Sequence, residues 1–253
     1  RLSSSRRSAP SRHHSPRFRR ASPHSAPSSP AKNRNDMLKD VVEADVRQFI
    51  EGDEELFFNE RDFQMHLAVY LRSLGKYDDV DIEYYVPQKE LDRYLWENEL
   101  RLDIVVSKNG EYVPIELKYK TKAVSRPMTR FGERLSEKIP VMKNQGAQDL
   151  GRYDFWKDVR RVEMVRNRFH NVKGGLAVFM TNDRFYLNET KPTSNNCRFS
   201  MREGPHPKRK HWLDANKSTA KGRPDFDVEK EYAVKWNAKE VGGVELNYCI
   251  VKV

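Results

Sequence analysis

LRLDIVVSKNGEYVPIELKYK, residues 100–120, reads as two β-strand patterns joined by Asn109-Gly110. Asn-Gly favours a two-residue hairpin loop, because a type I′ turn needs positive φ at both central residues. With that turn, Lys108 pairs with Glu111, Val106 with Val113, Ile104 with Ile115 and Leu102 with Leu117. These apolar pairs fall on one face, as a buried register requires. The other face then sets Asp103 opposite Glu116 and Lys118 opposite Arg101.

Carboxylates directly opposite one another repel. A proton on one of them relieves this, and so does a divalent cation between them. Hard oxygen donors on neighbouring strands suit Mg²⁺, which takes one or two carboxylates with waters and substrate phosphate. Lys118 shares the face of Glu116, about 7 Å along the strand. Lys118→Ala is therefore expected to end chemistry while sparing most of the fold. A third acid, Glu60, precedes Phe63 and Leu67 at helical spacing and so lies on the inward stripe of the preceding helix. As a first-turn acid it also complements the helix dipole. Gln64 lies one turn further along the same face.

Working outward, MLKDVVEADVRQFIEG and FFNERDFQMHLAVYLRSLG are helical, the second capped by Asn59 and ended by Gly75. DVDIEYYVP alternates as a strand. Residues 123–144 have no clear period and are expected to be part helix, part loop. Ala147 to about Phe169 sustains a helical stripe, and LAVFMT (residues 176–181) reads as a buried strand. Residues 182–230 are turn-rich, and EYAVKW and LNYCIVKV are further strand candidates. This order predicts an α/β fold with a mixed central sheet flanked by helices.

Asp103, a short hairpin and then Glu116-Leu117-Lys118 resemble the D…E-x-K signature of the PD-(D/E)XK nuclease superfamily, with Glu60 as the acid often found on the preceding helix. The resemblance covers roughly residues 55–185 and implies a restriction-endonuclease-like core. It implies metal-dependent hydrolysis of DNA phosphodiester bonds, as an endo- or exonuclease. Asp103, Glu116, Glu60 and the Leu117 carbonyl would bind Mg²⁺ or Mn²⁺. Lys118 would orient the attacking water, help deprotonate it and offset charge at phosphorus. Tyr119, Lys120, Lys122, Arg126 and Gln64 would contact the nucleic acid. DNA is the expected partner, and a cut through both strands would call for a second copy of the chain. The alternatives are a catalytically inactive relative that binds nucleic acid or a protein, and an unrelated α/β domain with a polar strand face.

The net charge of +10 is concentrated in residues 1–36, which carry +8 and leave the remainder at +2. A nucleic-acid function of the body must therefore come from a local site. The Ser/Arg/Pro-rich tail is expected to be disordered. It is open between an organelle-targeting segment, a basic arm and a segment foreign to the domain. The domains expected are this tail, a nuclease-like core over residues 37–185, and a loop-and-strand extension over 186–253 packed on it. Two cysteines suggest reduced thiols and a cytoplasmic protein. The longest apolar run is too short to span a membrane, and no P-loop marks a nucleotide cofactor. HPKRKH, residues 206–211, spaces its histidines poorly for a metal.

Overall fold

The computed structural model describes residues 37–97, 99–135 and 138–253; the expectations for the tail lie outside them. Two helices open the chain. Helix α1, Leu38–Gly52, buries Val42, Val46, Phe49 and Ile50. Helix α2, Glu60–Ser73, buries Phe63, Leu67 and Leu71, and the Asn59 side chain accepts a hydrogen bond from the Asp62 N–H at its start. Gly75, at φ +62°, turns the chain away.

Strands β1 (Asp79–Val86), β2 (Leu100–Lys108) and β3 (Glu111–Lys120) follow. Helix α3 (Gln148–Arg168) leads into β4 (Leu176–Thr181), and the chain ends on the hairpin β5 (Asn237–Val241) and β6 (Val244–Lys252). They form one six-stranded sheet, ordered β1-β2-β3-β4-β6-β5. β3 and β4 run parallel, as a connection through a helix allows, and the other pairs are antiparallel. One core cluster packs α1 and α2 against the face carrying Ile104, Val106, Ile115, Leu117 and Val178. The other packs α3 against Val105, Ala177, Phe179 and Val251. The molecule is thus a mixed α/β fold with helices on both faces of its sheet.

The hairpin has the turn and register read from its sequence. Asn109 and Gly110 have φ of +52° and +76°, and Lys108↔Glu111, Val106↔Val113 and Ile104↔Ile115 are paired. Beyond Ile104 the expectation fails. The β2–β3 ladder stops there, and Leu102 joins the α3-side core while Leu117 stays on the other. The break has a local cause. Glu83 in β1 has φ +53°, and the β1–β2 pairing passes from Ile82↔Ile104 to Tyr84↔Leu102 with Glu83 and Asp103 outside it. The Gln64 amide supplies the missing partner, donating to the Asp103 carbonyl at 2.7 Å and to Glu83 Oε1 at 3.1 Å.

Residues 123–144 contain no helix among the described residues. Val124–Arg126 pairs with Ile139–Met142, and Thr129–Arg130 with Glu133–Arg134. Pro127 and Pro140 disfavour helix, and Phe131 and Gly132 form a turn with both φ positive. The division expected at residue 185 is also absent: β6 lies inside the central sheet, between β4 and β5, rather than in an extension packed on it. All described residues belong to one compact unit.

Candidate active site

Where the β2–β3 ladder stops, main-chain N–H groups of β3 lose their strand partner. Side chains take them over. Asp103 Oδ2 accepts from the Leu117 N–H at 2.6 Å, and Glu60 Oε2 accepts from the Tyr119 N–H at 2.9 Å. Glu60, the first residue of α2, is thereby drawn to the same opening as Asp103. Between these two contacts lies Lys118, whose side chain is only 13% exposed. Its Nζ is 2.8 Å from Asp158 Oδ2 and 3.6 Å from Glu60 Oε1, and it donates to the Leu117 carbonyl at 2.9 Å. Glu116 is buried, and its Oε1 has no hydrogen-bond partner among the described residues.

Asp158 and Arg161 were not foreseen. They sit three apart on α3, both buried, with Arg161 Nη1 3.6 Å from Asp158 Oδ1 and Nη2 donating to the Tyr94 hydroxyl. The signal available was an acid and a base on the stripe of Val162 and Val165, where an amphipathic helix would place apolar residues.

Burial and mutual repulsion set the protonation states. Burial raises the Glu116 carboxyl well above its ordinary range, and Asp158 and Asp103 push it further. Burial also lifts Asp103, to about 6, against the pull of Lys118 and the Leu117 N–H. For Lys118 burial acts downward, but Asp158, Glu60, Asp103 and Glu116 outweigh it and hold the ammonium charged well beyond its usual range. Lys118 is therefore a fixed cation, and the expected role in deprotonating water does not suit it.

The expected cation site is not preassembled. Among the described residues, no three acidic, His or Cys side chains stand close enough to hold a metal ion. Glu60 and Asp103 are spent on main-chain N–H groups, and the Leu117 carbonyl is occupied by Lys118. The donor chemistry nevertheless fits: Asp103 and Glu116 are hard oxygen donors, one Glu116 oxygen is unsatisfied, and both carboxyls are raised by burial and by neighbouring acids.

The site opens into a cleft of about 670 Å³ whose lining includes Glu60, Glu83, Asp103, Arg61, Lys120 and Lys143. Arg61, Lys120 and Lys143 make no side-chain hydrogen bond or ion pair among the described residues. The nucleic-acid contacts expected from sequence fare unequally. Lys120 lines the cleft. Gln64 also lines it, but its amide is committed to Asp103 and Glu83. Tyr119 is fully buried beside Phe57 and Phe63 and cannot meet a ligand. Lys122 is exposed but paired with Asp183 at 3.0 Å, and Arg126 lies outside the cleft lining, on a short strand.

Compared with protein-family models, curated proteins and solved structures, the chain matches none of them.

Proposed function

We propose that the cleft hydrolyses DNA phosphodiester bonds with a divalent cation, Mg²⁺ or Mn²⁺, in the manner of the PD-(D/E)XK nucleases that the sequence resembles. One observation carries this reading. Glu60 from α2 and Asp103 from β2 line one cleft, Lys118 of β3 stands 3.6 Å from Glu60, and buried Glu116 feels the charges of Asp103 and Lys118. The order helix, strand, hairpin, helix, strand over residues 60–181 also supports it.

Asp103 and Glu116 would hold the ion. Once bound it supplies Lewis acidity and a usable hydroxide near neutral pH. The chain's own residues supply positioning and charge. Lys118, held charged, can face a phosphate oxygen and offset the negative charge that grows on it during attack. Arg61, Lys120 and Lys143, free of internal partners among the described residues, can bind phosphates flanking the scissile bond. Asp158, in contact with Lys118, fixes where that ammonium sits. Water is the nucleophile, and no covalent enzyme intermediate is needed.

The second reading, a module that binds nucleic acid without cutting it, is favoured by the lack of a preassembled three-acid cage among the described residues. A cleavage assay separates the two. Plasmid and single-stranded DNA are incubated with the full chain in Mg²⁺, Mn²⁺ or chelator. Cutting that requires metal and is lost in both Asp103→Ala and Lys118→Ala is the expected result. Cutting that survives both substitutions rejects the site, and binding without cutting selects the second reading.

A further inference from the structure

The chain leaves the site by Lys120 and returns at Lys143, and both residues line the cleft. Between them lie two short antiparallel ladders, Val124–Arg126 with Ile139–Met142 and Thr129–Arg130 with Glu133–Arg134, which together make the ribbon. The ribbon's base is fixed: Thr121 Oγ1 donates to the Lys143 carbonyl at 2.6 Å, the Gln145 N–H donates to the Thr121 carbonyl at 2.7 Å, and the Lys143 N–H donates to the Phe58 carbonyl at 3.1 Å.

The tip of this ribbon is unusual in two independent ways. Phe131 is fully exposed, and it holds φ +53°, a conformation unfavourable for a bulky side chain. With Gly132 at φ +81° it occupies a turn position where Asn or Gly would be unstrained. Folding alone thus gains nothing from a phenylalanine there, and an exposed aromatic held in strain points to a contact with something outside the chain. The ribbon's charge says what that contact is. Residues 124–142 carry four cations, Arg126, Arg130, Arg134 and Lys138, against two acids, Glu133 and Glu137. Arg130 and Arg134 flank the tip, both exposed and neither in an ion pair among the described residues.

We propose that this ribbon is a nucleic-acid wedge: its arginines follow the phosphates of a duplex seated over the cleft, and Phe131 inserts between neighbouring base pairs. Apolar side chains inserted in this way unstack and kink a duplex, and a two-stranded ribbon is narrow enough to enter a groove. The wedge would bend the strand toward the acids at the cleft floor. It rests on the nucleic-acid reading of the cleft, though not on whether the cleft cuts.

The test is binding of a short DNA duplex carrying 2-aminopurine, measured with the full chain in chelator so that no cleavage occurs. Binding by the wild-type chain should raise 2-aminopurine fluorescence as its neighbours are unstacked. Phe131→Ala and Phe131→Asn should both bind yet abolish that rise; the Asn variant suits the turn better, so its effect cannot come from a damaged fold. Arg130→Ala with Arg134→Ala should lower the salt dependence of binding, by roughly 0.9 in the log–log slope for each phosphate no longer neutralised. A wild-type complex with no fluorescence rise, a rise retained in Phe131→Asn, or binding confined to single strands would overturn the wedge. A chain that gives the rise but never cuts with metal leaves the wedge standing and removes only the nuclease reading. One that cuts without the rise does the reverse.

Discussion

Glu116 carries a carboxylate oxygen buried within electrostatic reach of Asp158 and Asp103 with no hydrogen-bond partner among the described residues. Its proton and that of Asp103 are held to higher pH in the fold than in the unfolded chain. Unfolding therefore releases protons, and the fold loses stability as pH rises from the ordinary carboxylate range, for Asp103 between 3.8 and about 6. Glu116→Gln removes one such proton. Without metal it should be more stable than the wild type at pH 7, with the gain shrinking as pH falls toward the ordinary carboxylate range. Denaturant midpoints across that range check this; a gain independent of pH would contradict it. Lys118→Ala should stop cutting, lowering the rate by roughly 10²–10³-fold. Against the sequence expectation, it should also cost about 3 kcal/mol of stability, because it removes the nearer of the two cations that face buried Asp158 and leaves Arg161 at 3.6 Å as its partner. Adding Asp158→Asn should recover most of the stability but no activity. At this scale spacing placed Glu60 at the start of α2 and set Glu116 and Lys118 on one face of β3, whereas Asp103 sits at a break that alternation did not show. Tyr119 was legible too: it shares the face of Ile115 and Leu117, and treating it as a ligand contact ignored that alternation. Asp158 was signalled only by its place on the stripe of Val162 and Val165, and its partner Lys118 lies on a strand that the helix pattern alone does not identify.

Among the elements, the hairpin was the clearest, because Asn109-Gly110 dictates one turn and that turn one register. What followed Ile104 was not written in the pattern. The break depends on a single left-handed residue, Glu83, and on an amide from another element, Gln64. Helix α2 positions Glu60, so under the proposed nuclease reading its cap would bear on activity as well as on stability. Asn59→Ala should cost about 1 kcal/mol and lower the rate by moving Glu60, both measurable on one preparation. Gly175, at the entry to β4, lies where Val162 of α3 packs tightly against the chain. A Cβ there would lie 2.4 Å from Val162 Cγ1 and 2.8 Å from the Pro114 carbonyl. Gly175→Ala should therefore destabilise the protein by about 3 kcal/mol or more, seen as a lowered melting temperature. An unchanged melting temperature would refute that packing.

For the whole molecule, the α/β class and the order of the first elements were readable from periodicity alone, whereas the role of the C-terminus was not. LNYCIVKV looks the same to sequence whether it adds an edge strand or enters the middle of a sheet. Because β6 sits between β4 and β5 and supplies Tyr248, Cys249 and Val251 to the two cores, a chain truncated after residue 185 should not fold. Circular dichroism and limited proteolysis of that fragment should find no cooperative unfolding; a stable fragment would restore the division read from sequence. The most direct test of the central claim, that Asp103 and Glu116 await a divalent cation, is calorimetric titration of Mn²⁺ into the full chain at pH 7 in two buffers of different ionisation heat. The account expects one ion per chain, protons released on binding, affinity that falls below about pH 6 as Asp103 protonates, and loss of the site in Asp103→Asn. No binding by the wild type, or the same binding in Asp103→Asn, would contradict it.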